Sequence, residues 1–344
     1  MSRLIAIAAA LVLLQIGTSH AGIVTYINVP GAKDTIVTGV SGNNVVGYTF
    51  GAGGVAEAFV YNDGTYTNIT LNGWINPTAT GVSGNNVVGT YNNGSIYQGF
   101  LYNNGAYTTI NVGSAETQAT GVSGNNVAGF YENGSNAVGF LYSNGTYTNV
   151  NPNGSTDTFV SGVSGNNVVG TYNNGSNYQG FLYNNGAYAT INPSGATTTV
   201  MDGVSGNTAF GFYQIGSGAQ QGFLYNGGAY TTIDLGTTTN VTGVSGNNVV
   251  GDYSVGGNQL GFLYDGATFT SIDPAGSPTV YVTGIDGNNV VGYYRDSNSG
   301  VDHGFEYAIA SVPEPSSVVL WAMAGIASFV GRPFRRKAVV ARTS

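Results

Sequence analysis

The chain has 344 residues, of which 56 are glycine, 24 are tyrosine and none is cysteine, and only 7% are charged. This composition excludes a disordered polyelectrolyte and a disulfide-stapled scaffold. All 16 acidic residues but only two of the eight basic ones, Lys33 and Arg295, lie between positions 22 and 315, so this stretch has a formal charge of −14. Nucleic acid and anionic lipid are therefore poor partners for it.

Residues 1–21 have the pattern of a secretory signal peptide. Arg3 supplies the positive charge, residues 4–16 are the apolar region, and residues 19–21 form a small-x-small cleavage site. We expect signal peptidase to cut between Ala21 and Gly22. The mature protein is then exported and, without cysteine, is stabilised by packing alone.

Seven copies of one unit fill most of the remaining chain. A motif close to Gly-Val-Ser-Gly-Asn-Asn-Val-Val-Gly recurs every 40 to 42 residues and begins at Gly39, Gly81, Gly121, Gly162, Gly203, Gly243 and Gly284. A second motif, Gly-Phe-Leu-Tyr, recurs in step at Gly99, Gly139, Gly180, Gly222 and Gly261, with variants at Ala58 and Gly304. A fixed period of about 41 residues indicates a repeat architecture.

Each unit predicts four short strands and no helix, as in 79–83, 86–91, 99–103 and 107–111. The connection between the third and fourth strands is an Asp-Gly or Asn-Gly pair, which suits a type I′ hairpin turn. These pairs are Asp63-Gly64, Asn104-Gly105, Asn144-Gly145, Asn185-Gly186, Asn226-Gly227 and Asp265-Gly266.

The strands carry apolar side chains on both faces, since Phe100 and Tyr102 point one way and Leu101 the other. Packing the sheets face to face removes both faces from water, at about 1.5 to 3 kcal/mol for each large side chain. The sequence therefore predicts an all-β, seven-bladed β-propeller over residues 22–311. Because residues 23–28 resemble a fourth strand and the seventh unit has only three, the N-terminal strand should complete the last blade.

The body resembles the HAF-type extracellular repeats, which combine a Gly-Ile-Asn-like turn, Val-Val-Gly and a Gly-Phe-Leu-Tyr/Trp strand. Here Ser-Gly-Asn-Asn usually replaces the more acidic turn, and the histidine before phenylalanine survives only as His303. The resemblance implies an exported repeat protein and supplies no reaction.

The C-terminal segment follows a different pattern. Residues 318–330 are a run of 13 apolar or small residues, shorter than the roughly 20 that usually span a membrane. The motif Val312-Pro313-Glu314-Pro315 precedes this run, and a basic cluster, which favours the cytoplasmic side, follows it. The cluster consists of Arg332, Arg335, Arg336 and Lys337.

This order of motif, short transmembrane helix and basic cluster resembles the PEP-CTERM sorting domain, at residues 312–338, with 339–344 as a cytoplasmic tail. The resemblance implies that a membrane-embedded exosortase cuts near Pro-Glu-Pro and passes the body from the inner membrane to the outer envelope or extracellular matrix. Proline disfavours helix in the residue before it, so the motif should be an extended, accessible strip. A C-terminal anchor that is never cut is the alternative.

Candidate catalytic residues are scarce in the body. Its only histidine is His303, and it has no cysteine, so a nucleophile would lack the usual base. The serines of the first turn recur at one repeat position, which favours turn geometry over a unique active site. They are Ser83, Ser123, Ser164, Ser205 and Ser245. We expect neither an enzyme nor a cofactor.

Two other sets of residues are candidate binding sites. Asp296, Asn298 and Asp302 are spaced like the first ligands of a calcium loop, but Tyr307 stands where an EF-hand needs glutamate, and an ordinary polar loop is the alternative. One tyrosine per unit could stack on sugars or pack between blades. These tyrosines are Tyr91, Tyr131, Tyr172, Tyr213, Tyr253 and Tyr294.

Together these features predict an exported structural or adhesive propeller of the envelope or of an exopolysaccharide biofilm matrix. A carbohydrate-binding, lectin-like propeller is the first alternative, and a secreted propeller hydrolase or lyase is the second. The near-identity of the units argues against an enzyme, because catalysis usually needs one blade to differ from its neighbours.

Overall fold

The computed structural model describes residues 22–310 apart from positions 52 and 237. Glycine-containing turns divide this stretch into short strands. The glycine of Ser-Gly-Asn-Asn has a positive φ in each unit, for example 58° at Gly42 and 57° at Gly84. A type II′ turn requires this conformation at its first central residue, and glycine adopts it without a steric penalty.

The connection between the third and fourth strands has the predicted type I′ conformation in four units. Asn104 and Gly105 have φ values of 46° and 90°. The same pair of positive φ values occurs at Asp63-Gly64, Asn144-Gly145 and Asn185-Gly186.

The predicted position of this turn is wrong in the fifth and sixth units. In the fifth unit Gly227 and Gly228 have φ values of 57° and 94°, so the turn lies one residue later. A second glycine takes the left-handed conformation more readily than Asn226 does. In the sixth unit Asp265 Oδ1 accepts hydrogen bonds from the amides of Ala267 and Thr268, which produces a longer loop.

Twenty-eight strands are present in the described residues. They are β1 (Ile23–Ile27), β2 (Asp34–Ser41), β3 (Asn44–Phe50), β4 (Ala56–Asn62), β5 (Thr65–Ile69), β6 (Ile75–Ser83), β7 (Asn86–Asn92), β8 (Tyr97–Asn103), β9 (Ala106–Ile110), β10 (Thr117–Ser123), β11 (Asn126–Asn133), β12 (Asn136–Ser143), β13 (Thr146–Asn149), β14 (Asp157–Ser164), β15 (Asn167–Asn173), β16 (Tyr178–Asn184), β17 (Ala187–Ile191), β18 (Thr198–Ser205), β19 (Thr208–Gln214), β20 (Gln220–Asn226), β21 (Ala229–Ile233), β22 (Thr239–Ser245), β23 (Asn248–Val255), β24 (Asn258–Tyr264), β25 (Phe269–Ile272), β26 (Val280–Asp286), β27 (Asn289–Arg295) and β28 (Asp302–Ala308). A 3-10 turn, Pro274–Gly276, follows β25.

The strands form seven antiparallel four-stranded sheets, which confirms the predicted seven-bladed propeller. Blades 1 to 6 are β2–β5, β6–β9, β10–β13, β14–β17, β18–β21 and β22–β25, and blade 7 is β26–β28 with β1. The first strand of each blade contacts the first strands of both neighbouring blades, so these strands surround the central axis. The fourth strand forms the outer rim.

The N-terminal strand closes the ring, as predicted. β1 pairs with β28 from Ile23 opposite Ala308 to Ile27 opposite Gly304. The backbone groups at the open edge of blade 7 are therefore paired by the opposite end of the same domain.

The core lies between the blades. Each blade buries one phenylalanine almost completely: Phe59, Phe100, Phe140, Phe181, Phe223, Phe262 and Phe305. Phe100 belongs to a cluster that joins Val46 of blade 1 to Ala79 of blade 2, so both faces of a sheet are covered by its neighbours. At about 3 kcal/mol for a buried phenylalanine, repetition supplies much of the stability.

The glycine of Val-Val-Gly makes room for this phenylalanine. A Cβ atom at Gly89 would overlap the carbonyl oxygen of Thr78 and lie 2.7 Å from the ring of Phe100. The repeated glycine is therefore a packing requirement, because any side chain here would displace the ring or the first strand.

The predicted signal peptide at 1–21 and the predicted sorting domain at 312–338 lie outside the described residues. Within residues 22–310, no helix has the length and apolar character needed to cross a membrane.

Candidate functional site: the two faces of the propeller

The hairpin face is the end of the propeller that carries the two turns within each blade. The third residue of each Ser-Gly-Asn-Asn turn, or of its variant, is an exposed asparagine. The seven are Asn43, Asn85, Asn125, Asn166, Asn207, Asn247 and Asn288. The hairpin face therefore presents one carboxamide per blade, a group with both donor and acceptor atoms. Three of the seven, Asn43, Asn85 and Asn207, already use one of these atoms in a hydrogen bond within the protein.

Closer to the axis than these asparagines, a series of hydrogen bonds links neighbouring blades. The serine Oγ of one blade accepts a hydrogen bond from the turn glycine N–H of the next blade at 2.9–3.1 Å. The serines are Ser41, Ser83, Ser123, Ser164 and Ser245. The repeated serines predicted as turn residues thus connect blades as well. In blade 7 Asp286 takes this position and accepts from Gly42 N–H at 2.7 Å, which extends the series to six of the seven blade junctions.

The last asparagine of the turn joins three segments. Asn86 Nδ2 donates to the carbonyl of Gly124 in the next blade at 2.7 Å, while Asn86 Oδ1 accepts from Asn103 Nδ2 at 2.6 Å. Asn167 makes the equivalent bonds with Gly206 and Asn184. These bonds hold the hairpin face rigidly around a polar axial mouth of about 330 Å³.

The opposite end, the loop face, opens into the axial channel. A β-bulge in each first strand directs a side chain, usually threonine or serine, toward the axis. Thr80 Oγ1 donates to the carbonyl of Ala119 in the next blade at 2.7 Å, and Thr120 donates to Val160 at 2.8 Å. In blade 5 this position is Asp202.

One side of the channel is an apolar cavity of about 590 Å³. The rings of Phe130 and Phe159, from blades 3 and 4, meet edge to face with centroids 5.2 Å apart. Val200 and Met201 extend the apolar wall onto blade 5, and Ser161 lies among them. The cavity has the size of a small-molecule site.

The neighbouring blades place two carboxyl groups by the channel. Asp252 is 7% exposed, and its Oδ1 accepts a hydrogen bond from Val282 N–H at 2.7 Å. Burial raises the pKa of Asp252 to about 7, opposed by that hydrogen bond and reinforced by the charge of Asp202. Desolvation by the surrounding protein raises the pKa of Asp202 to about 7 as well, although its side chain is accessible to solvent in the channel.

Tyrosines lie beside these carboxyl groups on blades 7 and 1. Tyr281 and Tyr293 stack with centroids 4.9 Å apart and an angle of 26°. Burial, then the charges of neighbouring tyrosines and carboxyl groups, raise the pKa of Tyr293 to about 12. This hydroxyl therefore remains a hydrogen-bond donor at any physiological pH.

The six tyrosines singled out as sugar-stacking candidates lie between blades. Tyr91, Tyr172, Tyr213 and Tyr294 are buried, and Tyr131 and Tyr253 are half-buried. Tyr91 stacks on Trp74 at 4.0 Å, and its hydroxyl donates to Gln98 at 2.9 Å. This placement favours the packing alternative, because neighbouring side chains cover the ring faces that a sugar would need.

A second set of tyrosines, on the third and fourth strands, was not singled out from the sequence. They form tilted pairs on the outer rim, with centroids 4.8–5.1 Å apart: Tyr61–Tyr66, Tyr102–Tyr107, Tyr142–Tyr147, Tyr183–Tyr188 and Tyr225–Tyr230. The fourth-strand hydroxyl reaches the preceding blade. Tyr147 OH accepts from Asn111 N–H at 2.8 Å, and Tyr230 OH from Asn192 N–H at 3.0 Å. The tyrosine that recurs in the Ala-Tyr-Thr-Thr-Ile segments is the sequence signal from which this second set could have been predicted.

The weak calcium-loop candidates have other partners. Asp296 Oδ1 accepts from the amides of Asn298 and Ser299, both at 2.8 Å, and these bonds lower the pKa of Asp296. Asp302 pairs with Arg295 at 3.4 Å. Among the residues that the structure describes, no group of three His, Cys, Asp or Glu side chains could hold a metal ion.

The single histidine of the body lies at the closure of the ring. His303 Nδ1 is 3.0 Å from Asn28 Oδ1, and its ring lies 5.3 Å from that of Tyr294. This contact joins blade 7 to the segment after β1.

The predicted processing sites lie at the edges of the described part. Ala21, the motif 312–315 and the basic cluster from Arg332 to Lys337 are outside it. Gly22, the predicted mature N-terminus, donates its backbone N–H to Tyr307 OH at 3.0 Å.

No protein-family model matches the chain, and no curated protein matches it. Solved propellers resemble it in fold. The β-propeller domain of the Trilobed protease from Pyrococcus furiosus is 11% identical, with 83% of this chain and 98% of that domain covered and a TM-score of 0.55. That domain is described as having an open velcro topology, whereas the pairing of β1 with β28 closes this one.

Two further structures extend the comparison. Pyrococcus horikoshii acylaminoacyl peptidase is 10% identical, with 85% of this chain and 55% of that chain covered and a TM-score of 0.52, so this chain spans little more than half of the peptidase. Aleuria aurantia lectin is 13% identical, with 72% of this chain and 98% of that chain covered and a TM-score of 0.42. At these identities the similarity concerns the fold alone.

Proposed function

We propose that this chain is an exported, non-catalytic propeller that serves as a structural or adhesive component of the cell envelope or extracellular matrix. The observation that carries the proposal is the sevenfold repetition of the hairpin face. Each blade offers an exposed asparagine at the same position of its turn, every 40 to 42 residues along the chain. Seven equal groups on one rigid face suit attachment to a repetitive polymer, since weak contacts multiply when they are held together.

Exopolysaccharide is the polymer that this surface fits best. Carboxamides pair with sugar hydroxyls as both donors and acceptors, and the formal charge of −14 disfavours binding to nucleic acid or anionic lipid. The described part of the body supplies no Cys, and its one His has an asparagine partner, so the repeated surface favours binding over catalysis.

The attachment test uses matrix polysaccharide from the native host in a co-sedimentation assay. Replacing Asn85, Asn125 and Asn166 with alanine removes three of the seven carboxamides from one arc of the hairpin face. Avidity predicts a loss of retention of about tenfold or more, since the contacts multiply. A control carries alanine at Asn136 and Asn258, which are exposed on the loop face. Equal retention of both variants would contradict the proposal.

Delivery by an exosortase is the second part of the proposal and rests on the C-terminal sequence motif. Intact-mass and peptide analysis of protein from membranes and from matrix tests it. We expect the matrix form to end near Pro315 and to lack residues 335–344. If every molecule keeps that peptide and stays in the membrane, the protein is an anchored surface propeller instead.

The carbohydrate-binding alternative differs in valence and specificity. A lectin-like propeller would bind one defined glycan saturably, whereas an adhesive component would bind long polymer and release short oligosaccharides. The repeated asparagines are compatible with both functions, so a comparison of polymer with its oligosaccharide fragments separates them.

A further inference from the structure

The wall of the axial channel is where the near-identical blades differ from one another. The first-strand position of Phe159 is occupied in blades 1 to 7 by Ile36, Thr78, Gln118, Phe159, Val200, Asn240 and Tyr281. The second-strand position of Phe130 is occupied by Tyr48, Thr90, Phe130, Thr171, Phe212, Asp252 and Tyr293. The varying residues of the channel wall can select a ligand, while the constant residues of the blades hold the wall in place.

The variation divides the channel into an apolar and a polar side. Phe130, Phe159 and Val200 line the cavity of about 590 Å³, which accommodates an aromatic ring or a short alkyl chain. The cavity wall also includes Thr80, Thr120 and Ser161, each at the bulge position of its strand. The next member of that ring is Asp202, so a carboxyl group stands beside the apolar cavity.

The polar side places carboxyl groups near the hydroxyl donors of Tyr281 and Tyr293. In the described part of the chain, no group donates a hydrogen bond to Asp202, and only Val282 N–H donates to Asp252. Asn240 Oδ1 is buried there without a partner. Asn240 lies directly opposite Asp252 in the sheet. A buried acceptor without a donor is costly, so Asn240 Oδ1 would gain from a further donor.

The basic residues of the body do not complete it. Lys33 lies 3.8 Å from Asp34, and Arg295 lies 3.4 Å from Asp302. Both belong to blades 7 and 1 or their connection, and positions 22–315 contain no other Lys or Arg. A positive charge that neutralises these carboxyl groups would therefore come from outside the domain.

We propose that the axial channel binds a small organic cation, a primary ammonium group on an aromatic or alkyl body. The ammonium group donates to Asp202, Asp252 and Asn240, and the apolar body occupies the cavity against Phe130 and Phe159. An ammonium group has three hydrogens, and this cluster offers at least that many free acceptor positions. The site is on the opposite face from the asparagine ring, so it does not depend on the matrix role.

Calorimetric titration with 2-phenylethylammonium chloride and with 2-phenylethanol tests this inference. The two probes share one apolar body and differ in the charged group. With protein purified from its host at pH 8, we expect the cation to bind about tenfold or more tightly than the alcohol, the range for hydrogen bonds to charged groups. Equal affinities, or no binding of either probe, would overturn the proposal.

Repeat-derived variants locate the site. Asp202→Thr and Asp252→Thr copy Thr120 and Thr171, which occupy the same positions in other blades, so the blade packing is retained. Each should reduce the affinity for the cation to near that of the alcohol and leave the alcohol unaffected. Phe130→Thr, which copies Thr90 and Thr171, should weaken both probes.

A matched control separates the site from general attraction to an acidic protein. Asp63→Asn with Asp265→Asn also removes two carboxylates, and it copies the asparagines found in the same turn of other units. The affinity of the cation should then remain within about twofold of the wild type, since both carboxylates lie in turns of the hairpin face, away from the proposed site. A loss as large as that of the channel variants would overturn the proposal.

Discussion

The repeated blades of this protein differ from one another at single residue positions. Most bulge positions at the axis carry a neutral threonine or serine, and those of blades 1 to 3 donate to a carbonyl of the next blade. At Asp202 the same backbone carries a carboxyl group, and at Asp252 a carboxyl group replaces the threonine hydroxyl that Thr171 directs to Met201 N–H. Two substitutions in a repeated framework thus produce a site without altering the fold.

These carboxyl groups make stability depend on pH. The pKa of Asp252 is raised from 3.8 to about 7 in the folded protein, so the folded state binds the proton more tightly than the unfolded state. The stabilisation is fully present below about pH 4 and is lost as pH rises through about 7. Asp252→Thr should therefore match the wild type near pH 4 and exceed it by roughly 2 to 4 kcal/mol at pH 8.

Chemical denaturation of both proteins from pH 4 to pH 8 measures this difference. The titrating groups that do not interact with Asp252 cancel in the comparison, and the coupling to Asp202 is part of the measured difference. A difference that is constant across this range would show that Asp252 titrates in the folded protein as it does in the unfolded chain.

At the scale of strands, the rim tyrosines connect elements that the sheet hydrogen bonds leave separate. The hydroxyl of Tyr230 on β21 accepts a hydrogen bond from the N–H of Asn192 at the end of blade 4. In blade 6 the equivalent residue is Phe269, which packs on Tyr264 with centroids 4.5 Å apart but has no hydroxyl. The sixth blade therefore retains the ring contact and lacks this hydrogen bond.

Tyr230→Phe, which copies blade 6, should lower the free energy of unfolding by about 1 kcal/mol, the usual value of one hydrogen bond. Tyr225→Phe is the control, because this ring partner makes no hydrogen bond through its hydroxyl among the described residues. Denaturation in urea gives both values. Equal losses for the two variants would attribute the effect to ring packing.

The sequence predicts a feature correctly where only one residue can satisfy the physical requirement for it. The prediction is wrong where two neighbouring residues can satisfy the same requirement. The period, the buried phenylalanines and the positive φ at Asn104 each have one solution, so the blades were predictable. The turn at Gly227 was misplaced because two adjacent glycines compete for it. The channel was missed since Phe130 and Asp252 are 122 positions apart, and only the closed ring brings blades 3 and 6 around one axis.

At the scale of the whole molecule, one strand carries the closure. Ile27 at the end of β1 and Ile110 at the end of β9 are both fully buried, and each ends the outer strand of its blade. β9 is tied to β8 by a tight turn, whereas β1 is held to β28 only by hydrogen bonds and packing. The same truncation should therefore have different effects at the two sites.

Ile27→Ala and Ile110→Ala should each cost about 2 to 5 kcal/mol. Amide hydrogen exchange should accelerate across all of β1 in the first variant and only near the substitution in the second. If β1 and β9 exchange alike, the closing strand is no weaker than a covalently tethered one.

The closing strand also sets the order of events for a chain that is threaded through a membrane with its N-terminus first. β1 emerges first and stays unpaired, because its partner β28 emerges only after the six blades between them. Until then the first and last blades each expose a face that the finished ring buries. For such a chain the last folding step would be the pairing of β1 with β28, which buries both exposed faces together.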